Sequence, residues 1–361
     1  MKKYKVIQLG TGNTGMHALR GIIQHPDLEL VGLWVHSPAK AGQDAGELCG
    51  LGKTGVKPTT DINELISLDA DCACYMKAGA AYPTKPGSYG EQVVNEIRAF
   101  LESGKNIVGS TSVTLVYPYV WGPEFVERLE KSCQKGRSTF LWGGIDPGFM
   151  CDELPLILSS TCERIDSIRG QEILCYGSNT ALSDLTWMGF GAPLQDRAKK
   201  DKMGDFHAKY WCAPSIRMVA DALDVKLDEI RGTWDGILLE EDLDIPVGKF
   251  KAGTVGAVRF EVAGIVGGKP RIFVEHVTRL RNDLAPQWPQ LESGGYRVII
   301  EGSPSMRVDL AYTGKNPTDD SLVATASRLV NSIPVACDAD PGIRTFLNVP
   351  RQVMGVHRMK V

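Results

Sequence analysis

Three glycines, Gly10, Gly12 and Gly15, punctuate the run "VIQLGTGNTGMHALRGI", with Thr11, Asn13 and Thr14 between them. They follow an apolar strand pattern and open a helical one. Gly10 permits a tight turn, Gly12 lets backbone approach a pyrophosphate, and Gly15 allows close packing of helix on strand. The helix N-terminus adds free amides and a positive dipole end. In that context the spacing predicts a dinucleotide site; the plainer alternative is a glycine-rich turn that binds nothing. The choice of dinucleotide is read at the end of the second strand, "WVHSPAKAG". An NAD site places an acid there, to accept from the ribose hydroxyls. Glu29 begins that strand and Asp44 lies well past it. The residues present are His36, Ser37 and Lys40, a hydroxyl donor and a point charge suited to a 2′-phosphate. The predicted cofactor is therefore NADP, with NADPH preferred over NADH. Met76, Ser110 and Thr111, at the ends of the strands "DCACYM" and "NIVGS", complete the expected cofactor-binding set.

Acid–base chemistry has fewer carriers. Asp146 sits in "GGIDPGF", at the carboxyl end of a predicted strand, where such folds bind ligands. An Asp-Pro-Gly turn shaping the crossover is an equal alternative. Glu172 lies in "RGQEILCY", with Tyr176 four residues on; a solvated strand face is its plain reading. Thr114, Tyr117 and Tyr176 are candidate proton donors. His276 falls on the apolar face of "RIFVEHVTRL", where a lone histidine is more often a satisfied sheet residue than a catalyst. His207, Tyr210 and the aromatic group Trp187, Phe190, Phe206 and Trp211 line either an apolar pocket or a plain core. No cysteine or histidine spacing suggests a metal.

These residues need a scaffold. The 361 residues exceed one ordinary domain, and 43% hydrophobic with 23% charged residues fits a globular chain with a sizeable core. A net charge of −3 gives no field for nucleic acid or an anionic membrane. Nine cysteines without a CxxC pair read as reduced and packed, and with no visible signal peptide they point to the cytoplasm. Strands and helices alternate up to about residue 150, which predicts a doubly wound parallel sheet. Helical patterns over 180–232 then give way to long successive strands, predicting an inserted α+β domain with a mostly antiparallel sheet. "VGGKP" reads as a hairpin turn. "DDSLVATASRLVNSIP" returns to a helix, followed by a polar tail. The expected domains are residues 1–150 for the nucleotide, 151–313 for substrate and dimerisation, and 314–361 rejoining the first.

The segments "GTGNTG", "WVHSPAKAGQDAGELCGL", "GIDPGF" and "RLVNSIPVACDADPGIRT" together resemble a family related to dihydrodipicolinate reductase. It includes 2,4-diaminopentanoate dehydrogenase and the native amine dehydrogenases. The resemblance implies a Rossmann domain, an α+β domain whose sheet closes over the nicotinamide, and a homodimer. It implies the reversible conversion of a ketone, ammonia and NAD(P)H to an amine. It also implies a catalytic Glu ahead of a Tyr-Pro pair. Here the matching stretch, "STSVTLVYP", has Tyr117-Pro118 but only Ser112, Val113 and Thr114 before it. Without that acid, two further readings stand beside reductive amination: a ketone or aldehyde reductase that uses no ammonia, and a non-catalytic NADP-binding sensor.

Overall fold

The computed structural model describes residues 3–78, 87–194 and 197–358. The chain divides into two compact units, residues 1–145 with 322–361, and residues 146–321. The first unit begins with β1 (Tyr4–Leu9), α1 (Asn13–Ile23), β2 (Leu28–Trp34), α2 (Ala45–Leu48), α3 (Ile62–Ser67) and β3 (Cys72–Tyr75). It continues with α4 (Tyr89–Glu102), β4 (Asn106–Gly109), α5 (Pro123–Gly136) and β5 (Thr139–Trp142). The central strands β3, β4 and β5 are short and nearly wholly buried, as strands covered on both faces must be. The pairing of β1 to β5 is parallel throughout. Helix α1 starts at Asn13, straight off the second glycine. One detail differs from the sequence expectation: the polar tail carries a strand, Gly342–Arg344, which adds to β5 in parallel at the sheet edge. Three residues are too few to show a period in sequence.

The second unit holds α6 (Glu153–Ser159), β6 (Arg164–Cys175), α7 (Leu182–Met188), α8 (Arg197–His207), a π-helical turn at Ala208–Cys212 and α9 (Ala213–Ala222). Then come β7 (Glu229–Leu238), β8 (Leu243–Ile245), β9 (Gly248–Phe250), β10 (Val255–Val266), β11 (Lys269–Arg279), β12 (Gly295–Ser303) and β13 (Met306–Ala311). Its six-stranded sheet runs β13-β12-β6-β11-β10-β7. All neighbours are antiparallel except β6 with β11. That parallel pair puts Glu172 opposite His276. The stretch "GTWDGILLEEDLD" is divided after Leu238 between β7 and β8. The "VGGKP" hairpin is present, with Gly267 and Gly268 at φ +60° and +73°, the left-handed pair its two-residue turn requires. Helix α8 lies on β7 through two glycines: a Cβ on Gly232 would come within 2.0 Å of the Gly204 carbonyl oxygen. That contact seats the C-terminal end of α8 on the sheet. The helix α10 (Pro317–Asp338) leaves the second unit for the first and leads to β14, the tail strand already described.

Candidate active site

In the first unit, the turn after β1 is built as a phosphate cradle. Gly10 has φ +104°, and a Cβ there would sit 2.6 Å from the Met76 carbonyl oxygen. A Cβ on Gly15 would sit 2.5 Å from the Gly10 carbonyl oxygen. Gly12 has nothing within 4 Å of such a position, so its outer face is open to an incoming group. No side chain caps α1 and no acid stands in its first turn. The positive dipole end of α1 therefore meets no acidic side chain in its first turn, which suits an incoming anion. Lys40 leans over this turn, its Nζ 3.3 Å from the Thr11 carbonyl oxygen and 3.2 Å from Thr11 Oγ1. Ser37 is half-buried and His36 exposed. Met76 is buried, and its sulfur accepts from Ser110 Oγ at 3.3 Å. The Thr111 carbonyl accepts from Trp142 Nε1 at 2.6 Å. These residues fit a nicotinamide dinucleotide. One neighbour was not singled out in the sequence: Lys77, whose Nζ lies 4.1 Å from the centre of the Trp34 ring and 2.6 Å from Glu96.

Thr114, the candidate donor of the same unit, is buried on the short 3₁₀ turn Val113–Val116. Its hydroxyl meets no partner among the described residues. No acid replaces the missing glutamate in that loop.

The acids gather in the second unit. Asp146, Glu172 and His276 are brought together from the crossover, β6 and β11. His276 Nε2 is 2.9 Å from Asp146 Oδ2, and Nδ1 is 3.6 Å from Glu172 Oε1. Side-chain exposure is 1% for His276 and Asp146 and 7% for Glu172. Two tyrosines hold the glutamate: Tyr176 donates to Oε1 at 2.6 Å and Tyr296 to Oε2 at 3.1 Å. So Asp146 is more than a turn residue, and Glu172 does not face solvent. His276 is a buried residue of the sheet, as read, but its ring is not isolated there. A carboxylate stands beside each of its ring nitrogens. No sequence pattern shows that the β6–β11 pair is parallel, and only that pairing sets the two strands in this register.

Charge and burial compete here. Burial works against the His276 cation, yet Glu172 and Asp146 outweigh it and raise its pKa above the ordinary 6.5. Burial also raises the Glu172 pKa, opposed by the His276 charge and reinforced by Asp146. The tyrosine hydrogen bonds pull it back toward the charged form. Both the His276 and the Glu172 proton affinities are thus raised by their shared surroundings. His207, by contrast, is pushed down to about 3 by burial and then by the charge on His276. It is a neutral ring stacked on Phe260, with centroids 4.1 Å apart. The buried thiols of Cys151 and Cys212 are pushed up by burial and by Asp146, and act as neutral packing.

The three side chains offer ligand atoms within 4.8 Å of one another, a set from which a cation could be held. The geometry favours protons over a metal. The two carboxylates flank opposite nitrogens of the imidazole, so they do not converge with one nitrogen on a point. Both Glu172 oxygens already accept from tyrosines.

Residues 149–361 match the C-terminal domain of 2,4-diaminopentanoate dehydrogenase. Over 349 residues the chain is 36% identical to an amine dehydrogenase of Streptomyces virginiae, covering 94% of each. The chain belongs to the 2,4-diaminopentanoate dehydrogenase family. Another relative, the 2,4-diaminopentanoate dehydrogenase of Acetoanaerobium sticklandii, is 25% identical across 99% of this chain and 97% of its own. Among solved structures, the amine dehydrogenase of Mycobacterium smegmatis shares the fold, with a TM-score of 0.76, 21% identity and 96% of each chain covered. A parallel nucleotide-binding sheet with a mixed second sheet is thus the fold of the family, and the chain is an oxidoreductase that uses a nicotinamide cofactor. Among the described residues no helix is long and apolar enough to cross a membrane.

Proposed function

We propose that the protein is an NADP(H)-dependent dehydrogenase interconverting a primary amine with its carbonyl compound and ammonia. The observation that carries this is the buried Glu172–His276–Asp146 cluster. It holds two carboxylates against one imidazolium, so it favours an ammonium or iminium beside it. In the amine-forming direction, ammonium must lose a proton before it attacks the carbonyl carbon. Glu172 takes that proton, and His276 shares it with Asp146. The hydroxyl of the resulting carbinolamine then leaves as water, and the same cluster returns the proton to it. The nicotinamide supplies the hydride that reduces the C=N carbon. Tyr176 and Tyr296 are positioning residues, because they fix both oxygens of Glu172.

The relatives named for amine oxidation support this reading, and the missing loop glutamate no longer counts against it, since carboxylates stand elsewhere. NADP is proposed over NAD on the same ground as before: Lys40 beside the glycine turn, and no acid after β2. We also propose a homodimer formed on the sheet face of the second unit that carries the network Arg169–Glu261, Arg169–Glu275 and Arg259–Glu275.

The deciding experiment offers NADPH with a panel of ketones and aldehydes, with and without ammonia, and NADP⁺ with the matching amines. Ammonia-dependent NADPH oxidation and amine-dependent NADP⁺ reduction are the expected results. Turnover indifferent to ammonia would identify a carbonyl reductase instead, and no turnover at all would identify a sensor.

A further inference from the structure

Beside the acid cluster, still within the second unit, lies an aromatic surface without an assigned role. Its rings come from the end of α7, the end of α8 and the π-helical turn. Trp187 sits 5.2 Å from Phe206 and 4.9 Å from Trp211, and Phe206 sits 5.1 Å from Tyr210, all between ring centres. The π turn is wider than an α turn and is a feature frequently found at functional sites. All four rings are half-buried rather than sealed in the core. The inner end of the surface is Trp211, whose ring meets His276 edge-on at 5.6 Å. Apolar rings that stay partly open beside a buried anionic site mark a ligand surface.

Two further observations point to a ligand. Trp211 Nε1 is buried and meets no hydrogen-bond partner among the described residues. The Asp146 oxygens and both His276 nitrogens, beyond their mutual close contacts, are likewise buried without aligned partners. Aromatic faces with carboxylates behind them also suit an ammonium, by cation–π attraction.

Building on the amine–carbonyl reading above, we propose that Trp187, Phe206, Tyr210 and Trp211 seat the carbon skeleton of the substrate. The substrate is then an amine or ketone bearing an aryl or extended apolar arm, its reacting carbon turned toward His276 and Glu172. A charged arm is the contrary case, and one cation stands ready for it: exposed Lys209, whose Nζ is 5.1 Å from the centre of the Tyr210 ring.

The test compares 4-phenyl-2-butanone with 2-butanone and with a γ-keto acid, each with NADPH and saturating ammonia. Burying a phenyl group on these rings should raise kcat/KM for the aryl ketone about tenfold or more over 2-butanone, through KM. Trp187→Ala should erase most of that ratio and Trp187→Phe should keep it. Calorimetry with an unreactive aryl amide should show binding to the wild type that Trp187→Ala weakens by a similar factor. Equal kcat/KM for aryl and small ketones would overturn the proposal. So would a preference for the keto acid that Lys209→Ala abolishes. If no carbonyl compound turns over with ammonia, the amine–carbonyl reading fails, and the calorimetric arm still decides whether the surface takes an aryl group.

Discussion

Glu172 and His276 occupy one register position on the parallel pair β6–β11, and their side chains approach within 3.6 Å. Neighbours at one register position point to the same sheet face, so the pair is enforced by the backbone rather than by flexible side chains. Asp146 closes the other edge of the imidazole from the crossover that opens the second unit. A rigid sheet thus holds a charged group that burial alone would neutralise.

Glu172→Gln keeps the shape and one acceptor oxygen but loses the base. Amine-forming and amine-oxidising turnover should both fall by about 10²–10⁴, the usual loss for a positioned general base. Steady-state rates in both directions check this, with circular dichroism and cofactor titration as controls for folding. A loss below about threefold would place the proton transfer elsewhere.

Tyr296→Phe removes the 3.1 Å donor from Glu172 Oε2. That hydrogen bond favours the charged carboxylate, so the Glu172 pKa should rise further. The ascending limb of the pH–rate profile should move to higher pH, with stability lowered by about 1–3 kcal/mol for the orphaned buried acceptor. An unmoved limb would separate that limb from Glu172.

His276 has a folded pKa above its ordinary 6.5. The folded state therefore holds this proton more tightly than the unfolded chain does. Its stabilising contribution is complete below pH 6.5 and is lost as the pH climbs through the folded value. Thermal melts across that range should show the wild type losing its advantage over His276→Gln as pH rises. A gap that widens with pH would reverse the assignment of charge.

Lys40→Ala should weaken NADPH binding and leave NADH binding nearly unchanged. One charged contact to the 2′-phosphate contributes about 1.5–3 kcal/mol, tenfold or more in Kd. Fluorescence titration of both reduced cofactors measures it. Equal affinities in the wild type would remove the case for NADP.

Sedimentation at micromolar concentration should give a dimer. Arg169→Glu with Arg259→Glu places like charges around Glu275 and Glu261, and should shift the equilibrium to monomer. A monomeric wild type would leave the network as a surface feature of the sheet.

Sequence alone determined what is local. The strand, the glycine turn and the helix of residues 4–23 each announce themselves within a few residues, because Gly10 and Gly15 answer to steric contacts that only glycine tolerates. The alternation of strands and helices carried the first unit, and the long strands carried the second. The missing acid after β2 was likewise legible, since that position is fixed by its distance along one strand. The acid–histidine cluster proposed for catalysis was only half legible. Asp146, Glu172 and Tyr176 drew attention by type and setting, but His276 read as a plain sheet residue and Tyr296 gave no signal. What joins them is the pairing of β6 with β11 in parallel and with β12 antiparallel, between residues 104 and 124 positions apart. No local pattern encodes which strand becomes a neighbour, or in which register. That is settled by how the whole sheet buries its apolar face, and the tertiary structure alone decides whether an acid beside a histidine is a solvated charge or a shared proton.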